Sequence, residues 1–336
     1  MLSNRRQKVL QALIEEYIEC AQPVGSRTLV SRYGLGVSSA TVRNELSKLE
    51  DEGYIASPHT SAGRVPTDVG YRAFVDDLIE NEFEDDTKDE NDVMFDELRS
   101  AAKRVDDLVE DTSVALTHLT DCLSIVLAPT LLHMKVKQVS LVLLSPHRVL
   151  IVVVSADGQV FNRPVDFSEE VSSDELLAVQ NALNECFVGR SFDQLRTFDT
   201  AERAQILSTP LAHVIVEEIL VCLNEANTTR AHRLGLSSLL KKPEFSQSRE
   251  ALPVLEILED DTVLMQMFED VPQGDTPAVR IGSENKSEEL SGISVVASQY
   301  GPADNQGVVA VIGPTRMDYS KVIRAVRSAK NTLQDF

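Results

Sequence analysis

Ser38-Ser39-Ala40-Thr41-Val42-Arg43-Asn44-Glu45-Leu46-Ser47-Lys48-Leu49-Glu50-Asp51-Glu52-Gly53-Tyr54-Ile55-Ala56 is the stretch that decides the N-terminal fold. Val42, Leu46 and Leu49 recur at helical spacing and mark one apolar stripe. Ser38 is a strong N-cap candidate and Gly53 supplies the stop, so a helix over roughly 39–52 is predicted. The opposite face shows Ser39, Ala40, Arg43, Asn44 and Ser47. An arginine can fork onto guanine, an asparagine onto adenine, and a methyl group can meet thymine. The first-turn hydroxyls of Ser38, Ser39 and Thr41, with free N–H groups beside them, suit phosphate. The bland alternative is a solvated helix face. Ser38 itself is first a cap, whatever else it contacts.

Outward from this helix, Leu10, Leu13, Ile14, Tyr17 and Ile18 predict an amphipathic helix from Gln7 to Ile18. A turn at Ala21-Gln22-Pro23-Val24-Gly25 leads to a short helix capped by Ser26 and running to Tyr33, followed by the tight turn Gly34-Leu35-Gly36. On the other side, Tyr54-Ile55-Ala56 reads as a strand, Pro58 to Gly63 as a loop and Arg64-Val65 as a return strand. Thr67 then caps a helix carrying Tyr71, Phe74, Val75, Leu78 and Ile79. Helix, helix, turn, helix and a two-stranded flap within residues 1–80 make a winged helix-turn-helix, a DNA-binding arrangement. Arg27 and Thr28 open the second helix, where they either touch phosphate or serve the solvated surface. His59, Gly63 and Arg64 lie on the flap. An arginine beside a glycine at such a tip can enter a narrow minor groove, or the segment is an ordinary hairpin turn.

The chain has 336 residues, enough for two or three domains, and a formal net charge of -21. The charge is unevenly spread. Residues 1–72 hold nine Lys/Arg against eight Asp/Glu, whereas 81–111 hold four against thirteen. An acidic body suppresses indiscriminate sticking to phosphate, so specific contacts must carry more of the binding. Residues 81–91 read as an acidic, solvated linker. The longest apolar candidate for a membrane span, Gln138 to Ser155, is broken by Ser145-Pro146-His147-Arg148. The first residues run into an amphipathic pattern and not a signal-peptide core.

Cys20, Cys122, Cys186 and Cys222 form no Cys-x-x-Cys and read as reduced, cytosolic thiols. His59, His118, His133, His147, His213 and His232 are dispersed, none beside a cysteine at ligand spacing, so no metal site is expected. Gly34-Leu35-Gly36-Val37-Ser38-Ser39 lacks the third glycine and the preceding strand of a dinucleotide loop. No serine or cysteine stands in a nucleophile setting. Neither catalysis nor a cofactor is expected.

From Asp92, the spacing of Met94, Leu98, Ala101, Val105 and Leu108 predicts a long helix to about Leu119. It is either packed on the next sheet or paired with a second chain; packing is favoured, because clean e/g charge pairing is lacking. Strands follow at Ser124–Leu127, Val136–Leu144, Val149–Val154 and Gln159–Val165, three of them in a meander turning at Ala156-Asp157-Gly158. A helix is predicted over 173–187. Helices at Ala201–Leu207, Leu211–Glu225, Leu234–Leu240 and Pro253–Met267 then precede strands at Ala278–Ile281, Ile293–Ser298 and Gly307–Ile312 and a last helix over Asp318–Leu333. A sheet interrupted by a helical block and then resumed predicts an α+β multidomain chain with an inserted domain. Val311 to Tyr319 reads as strand, Gly-Pro-Thr, helix. It either holds an anion at the helix start or seats the last helix; with no lysine to complete a phosphate loop, the structural role is favoured.

Pro23-Val24-Gly25-Ser26-Arg27-Thr28-Leu29, Ser38-Ser39-Ala40-Thr41-Val42-Arg43-Asn44, Pro58 to Thr67 and Val311 to Tyr319 resemble the heat-inducible transcription repressor family HrcA. Weaker likenesses lie at Val279-Arg280-Ile281-Gly282 and Leu234-Gly235-Leu236. The resemblance is specific at both ends of the chain and vague across 81–275. Ser39 stands where many relatives carry proline, in a first helical turn where serine is equally at home. The resemblance implies a winged-helix DNA-binding domain, a GAF-like α/β domain with an antiparallel sheet built from 92–194 and 275–336, and an inserted dimerisation domain at 195–274. It further implies a homodimer on an inverted-repeat, CIRCE-type operator in double-stranded DNA ahead of chaperone operons. Repression would be relieved by heat, a chaperonin would be a partner, and the setting would be the bacterial cytoplasm. The alternative is a ligand-gated transcription regulator whose GAF-like domain binds a small-molecule effector.

Overall fold

The computed structural model describes residues 2–59, 63–82, 90–102, 105–129, 134–156, 158–196, 209–228, 231–245, 252, 255, 264, 267–268, 270–272, 274–285, 290–302 and 306–334. Of the expected features, Thr60 to Ala62 of the flap loop, 83–89 of the acidic linker, the helix at Ala201–Leu207 and most of that at Pro253–Met267 lie outside them.

The N-terminal segment forms α1 (Asn4–Cys20), α2 (Ser26–Tyr33), α3 (Ser39–Asp51), a ribbon of β1 (Ile55–Ala56) and β2 (Val65–Pro66), and α4 (Asp68–Glu82). The apolar stripes converge. Leu13, Ile14, Leu29, Val42, Leu49 and Val75 are all fully buried in one small core. The ribbon is antiparallel, with Ile55 opposite Pro66 and Ala56 opposite Val65. Val24 joins it as a third strand-like residue, exchanging two 2.8 Å hydrogen bonds with Arg64. Gly63 is required there: a Cβ at this position would lie 2.6 Å from the carbonyl carbon and oxygen of Pro23.

The helix expected from Asp92 to Leu119 is two, α5 (Glu90–Ala101) and α6 (Val105–Thr120). They pack with Phe95, Leu108, Val109 and Leu116 buried. After β3 (Leu123–Leu127) come β4 (Val136–Ser145), β5 (Arg148–Ser155), β6 (Val160–Asp166), α7 (Ser173–Phe187), α8 (Phe192–Arg196) and α9 (Pro210–Thr228). β7 (Ala231–Leu234), α10 (Leu236–Leu240), β8 (Ala278–Ile281), β9 (Ile293–Tyr300), β10 (Gly307–Pro314) and α11 (Tyr319–Leu333) complete the order. It is a mixed α/β chain in which the strand pairings of known register are antiparallel.

Two compact units result, one from 1–127, 232–301 and 307–336, the other from 128–231 and 302–306. The first holds a five-stranded sheet in the order β7-β3-β10-β9-β8. β3 and β10 are buried along their whole length, as strands covered on both faces are. The second holds the meander β4-β5-β6 as a sheet of its own. Its inner face, with Val139, Leu141, Val149, Ile151 and Val153, forms a core with Leu176 and Leu183 of α7 and Ile215 and Ile219 of α9. The edge of β4 is closed by Asn184 of α7, whose amide exchanges hydrogen bonds of 2.8 and 2.7 Å with the Val139 backbone.

These units divide the chain elsewhere than the expected break at 195–274, because β3 takes β10 as its neighbour and the meander does not join them. β7, a strand where helix was expected to begin, is the edge next to β3. Among the described residues no helix is long and apolar enough to cross a membrane.

Candidate nucleic-acid interface

Ser38 caps α3: its Oγ accepts the Thr41 N–H at 3.2 Å and lies 3.0 Å from Thr41 Oγ1. Val42, Leu46 and Leu49 face the core. At about 100° per residue, Ala40, Arg43, Asn44 and Ser47 share the opposite face. All four are exposed. Among the described residues, the side chains of Arg43, Asn44 and Ser47 have no hydrogen bond or ion pair within the chain.

Both flanks of that face are braced. On one, Arg6 of α1 reaches Glu45 of α3 at 3.4 Å and Glu52, the residue that caps its C-terminus, in a shorter contact. On the other, Arg64 of the ribbon pairs with Glu50, its Nε and Nη2 at 2.9 and 2.7 Å from Oε2, and its Nη1 lies 3.3 Å from Ser57 Oγ. α2 is tied to α1 by Arg32, which donates to both oxygens of the buried Glu16 at 2.7 Å. It is tied to α3 by Ser26 and Ser39, whose hydroxyls are 3.0 Å apart. These braces were invisible in the sequence, since each joins charged or hydroxyl residues that no periodicity connects.

Of the twelve expected site residues, Arg27, Ser38, Ala40, Arg43, Asn44, Ser47 and His59 are exposed; Thr28, Ser39, Thr41, Gly63 and Arg64 are half-buried. α3 brings Ser38 to Ser47 together, and Arg27 and Thr28 open α2 beside it. Arg64 is paired with Glu50, and Gly63 lies where a Cβ would meet the Pro23 backbone.

The module is seated on its own sheet. Arg72 of α4 donates to Glu284 at 2.7 Å and to the Val279 carbonyl at 2.7 Å. Asp68, at the start of α4, accepts the Ser283 N–H at 2.9 Å and its hydroxyl at 2.8 Å. Burial alone would raise the Glu284 carboxyl, but the hydrogen bond and charge of Arg72, with the Ile281 N–H, hold it below the ordinary glutamate value. Among the described residues, no group of three His, Cys, Asp or Glu is placed to hold a metal ion.

Residues 106–323 match the family described as HrcA protein C terminal domain. The chain is 37% identical over 333 residues to the heat-inducible transcription repressor HrcA of a Nocardioides species, covering 98% of this chain and 96% of that protein. It is 36% identical over 328 residues to the repressor of the same name from Brevibacillus brevis, covering 96% and 94%. A solved structure described as a hypothetical protein at 2.2 Å resolution has a TM-score of 0.75 at 24% identity, over 100% of this chain and 98% of that one, a likeness of fold alone. The class these findings define is the heat-inducible transcription repressors. Within it, the chain belongs to the HrcA family.

Proposed function

We propose that residues 1–80 are a winged helix-turn-helix that lays α3 in the major groove of double-stranded DNA. The observation that carries this is Arg43 and Asn44, exposed and with side chains unpartnered among the described residues, between two braced flanks. Arg43 and Asn44 read base edges and Ala40 offers its methyl group. Ser38, Ser39, Thr41, Ser47, Arg27 and Thr28 serve the phosphate backbone, and His59 reaches it from the ribbon. Gly63 and Arg64 act by holding the ribbon against α3.

The protein represses as a homodimer on an inverted-repeat, CIRCE-type operator ahead of chaperone operons, in the bacterial cytoplasm and with a chaperonin as partner. Two half-sites per dimer multiply affinity through effective concentration. Heat, or loss of chaperonin help, lowers the competent fraction, and apparent affinity falls with it. The five-stranded sheet is the GAF-like part, and the second unit is the dimerisation part. Val142 and Leu144 of β4 and Val160 of β6, all exposed on the sheet face turned from α7 and α9, offer a second copy its apolar surface. This reading assigns no catalysis and no cofactor. The repressor name of the relatives does not favour the ligand-gated alternative.

A gel-shift titration at two salt concentrations tests it, with an inverted-repeat probe, a half-site probe and a scrambled duplex. Preference for the intact repeat, with affinity for it lowered by Arg43→Ala, supports the assignment. Equal binding to all three duplexes would refute it.

A further inference from the structure

The Val311 to Tyr319 segment touches the N-terminal module directly, at the two ends of its turn. β10 stops at Pro314, and Asp318 caps α11 by accepting the Lys321 N–H at 3.1 Å. Between them, the Thr315 carbonyl accepts the Tyr319 hydroxyl at 2.8 Å, and Met317 is buried. Arg316 is therefore presented by a turn held on both sides. Its Nη1 donates to the carbonyl of Ile18 at 2.6 Å and its Nε to Glu244 Oε1 at 2.7 Å.

Ile18 lies in the last turn of α1, where carbonyls lack intrahelical partners and a cation is favoured. α1 carries no basic residue of its own there. Arg316, from the far end of the chain, supplies both the donor and the charge. Among the described residues, Glu244, in the turn at Pro243–Phe245, has its second oxygen buried without a hydrogen bond, and Arg316 compensates that carboxylate. A few residues on, the Tyr319 ring packs on Tyr71 of α4, centroids 5.7 Å apart, while the Tyr319 hydroxyl lies 2.7 Å from Ser294 Oγ of β9. α1 and α4, the first and last helices of the module, are gripped by one turn.

We propose that Arg316 is a positioning residue for operator binding: by joining the end of α1 to Glu244 it sets the angle at which the module, and hence α3, is presented. This rests on the reading of the protein as a two-fold DNA-binding repressor. A grip on α1 leaves the groove-facing residues of one module untouched. It does govern whether two modules meet two half-sites at once, which is where the gain of linked binding lies.

The test measures half-site and intact-repeat affinities, and the preferred spacing between half-sites, for wild type, Arg316→Lys and Glu244→Gln. Lysine keeps the charge but not the planar fork that spans both partners. Gln keeps the shape of Glu244 and removes only its charge. The expected result is half-site affinity within about twofold of wild type, intact-repeat affinity down by about tenfold or more, and a broadened spacing preference. Thermal melting at the assay temperature confirms that each variant is folded. Equal losses on both probes would mean a role in folding only and overturn the proposal, as would variants indistinguishable from wild type. A wild-type protein without preference for the intact repeat would sink the repressor reading itself, and this inference with it.

Discussion

Arg64 of the ribbon and Glu50 of α3 are joined side chain to side chain, with Nη2 and Nε at 2.7 and 2.9 Å from the same carboxylate oxygen. The pair sets the distance between ribbon and helix. Half-exposed, it contributes about 1 kcal/mol or less to stability. Arg64→Ala and Glu50→Gln should weaken operator binding to a similar small extent. The slope of log affinity against log salt should stay unchanged in both. A phosphate-contacting Arg64 would instead lower that slope by about one, in Arg64→Ala alone.

Arg43→Ala should cost about 1–3 kcal/mol of operator affinity and relax preference at one base pair. The melting temperature should stay put, because Arg43 has no partner in the fold among the described residues. Titrating a set of operators changed singly at each position checks this. Uniform weakening across the set would make Arg43 a backbone contact.

Gly63→Ala places a methyl group 2.6 Å from the main chain of Pro23 and Val24, atoms that cannot swing aside. Overpacking of this kind costs about 1–3 kcal/mol. The denaturant midpoint should fall by that amount, and at low denaturant the folded fraction should still bind operator. A midpoint equal to wild type would show that the ribbon yields freely.

Glu284 is held below the ordinary glutamate range by Arg72 and the Ile281 N–H, against the opposing effect of burial. A carboxylate depressed in the folded state contributes stability that is complete above its unfolded value, near 4.3, and is lost as pH falls through the folded value. Wild type should therefore lose stability faster than Glu284→Gln on acidification below about pH 4.3. Parallel melting curves for the two proteins across that window would remove Glu284 from the linkage.

Much of the secondary structure was legible. The helix predicted over 173–187 is α7, Ser173–Phe187, because Ser172 caps it through the Glu175 N–H and its apolar residues keep helical spacing. The meander and the strand at Ala278–Ile281 were likewise readable from their apolar runs and turns. Two features were not. α5 and α6 share one apolar register across the two helices, so periodicity reported a single helix. The affiliation of the strands was hidden too. β3 and β5 are both short apolar runs, yet one pairs with β10 and the other with β4 and β6. An apolar run states that a strand is buried and says nothing of its neighbour.

By itself the amino-acid sequence determined which face of α3 is apolar, where that helix starts, and that Arg43 and Asn44 share the opposite side, since side-chain chemistry and a 3.6-residue turn decide these locally. The tertiary structure alone decided that Arg6 and Arg64 brace that helix, that Arg316 closes the end of α1, and that the meander forms a sheet of its own. Those contacts join residues distant along the chain, and their partners are chosen by packing and charge compensation once the elements have met.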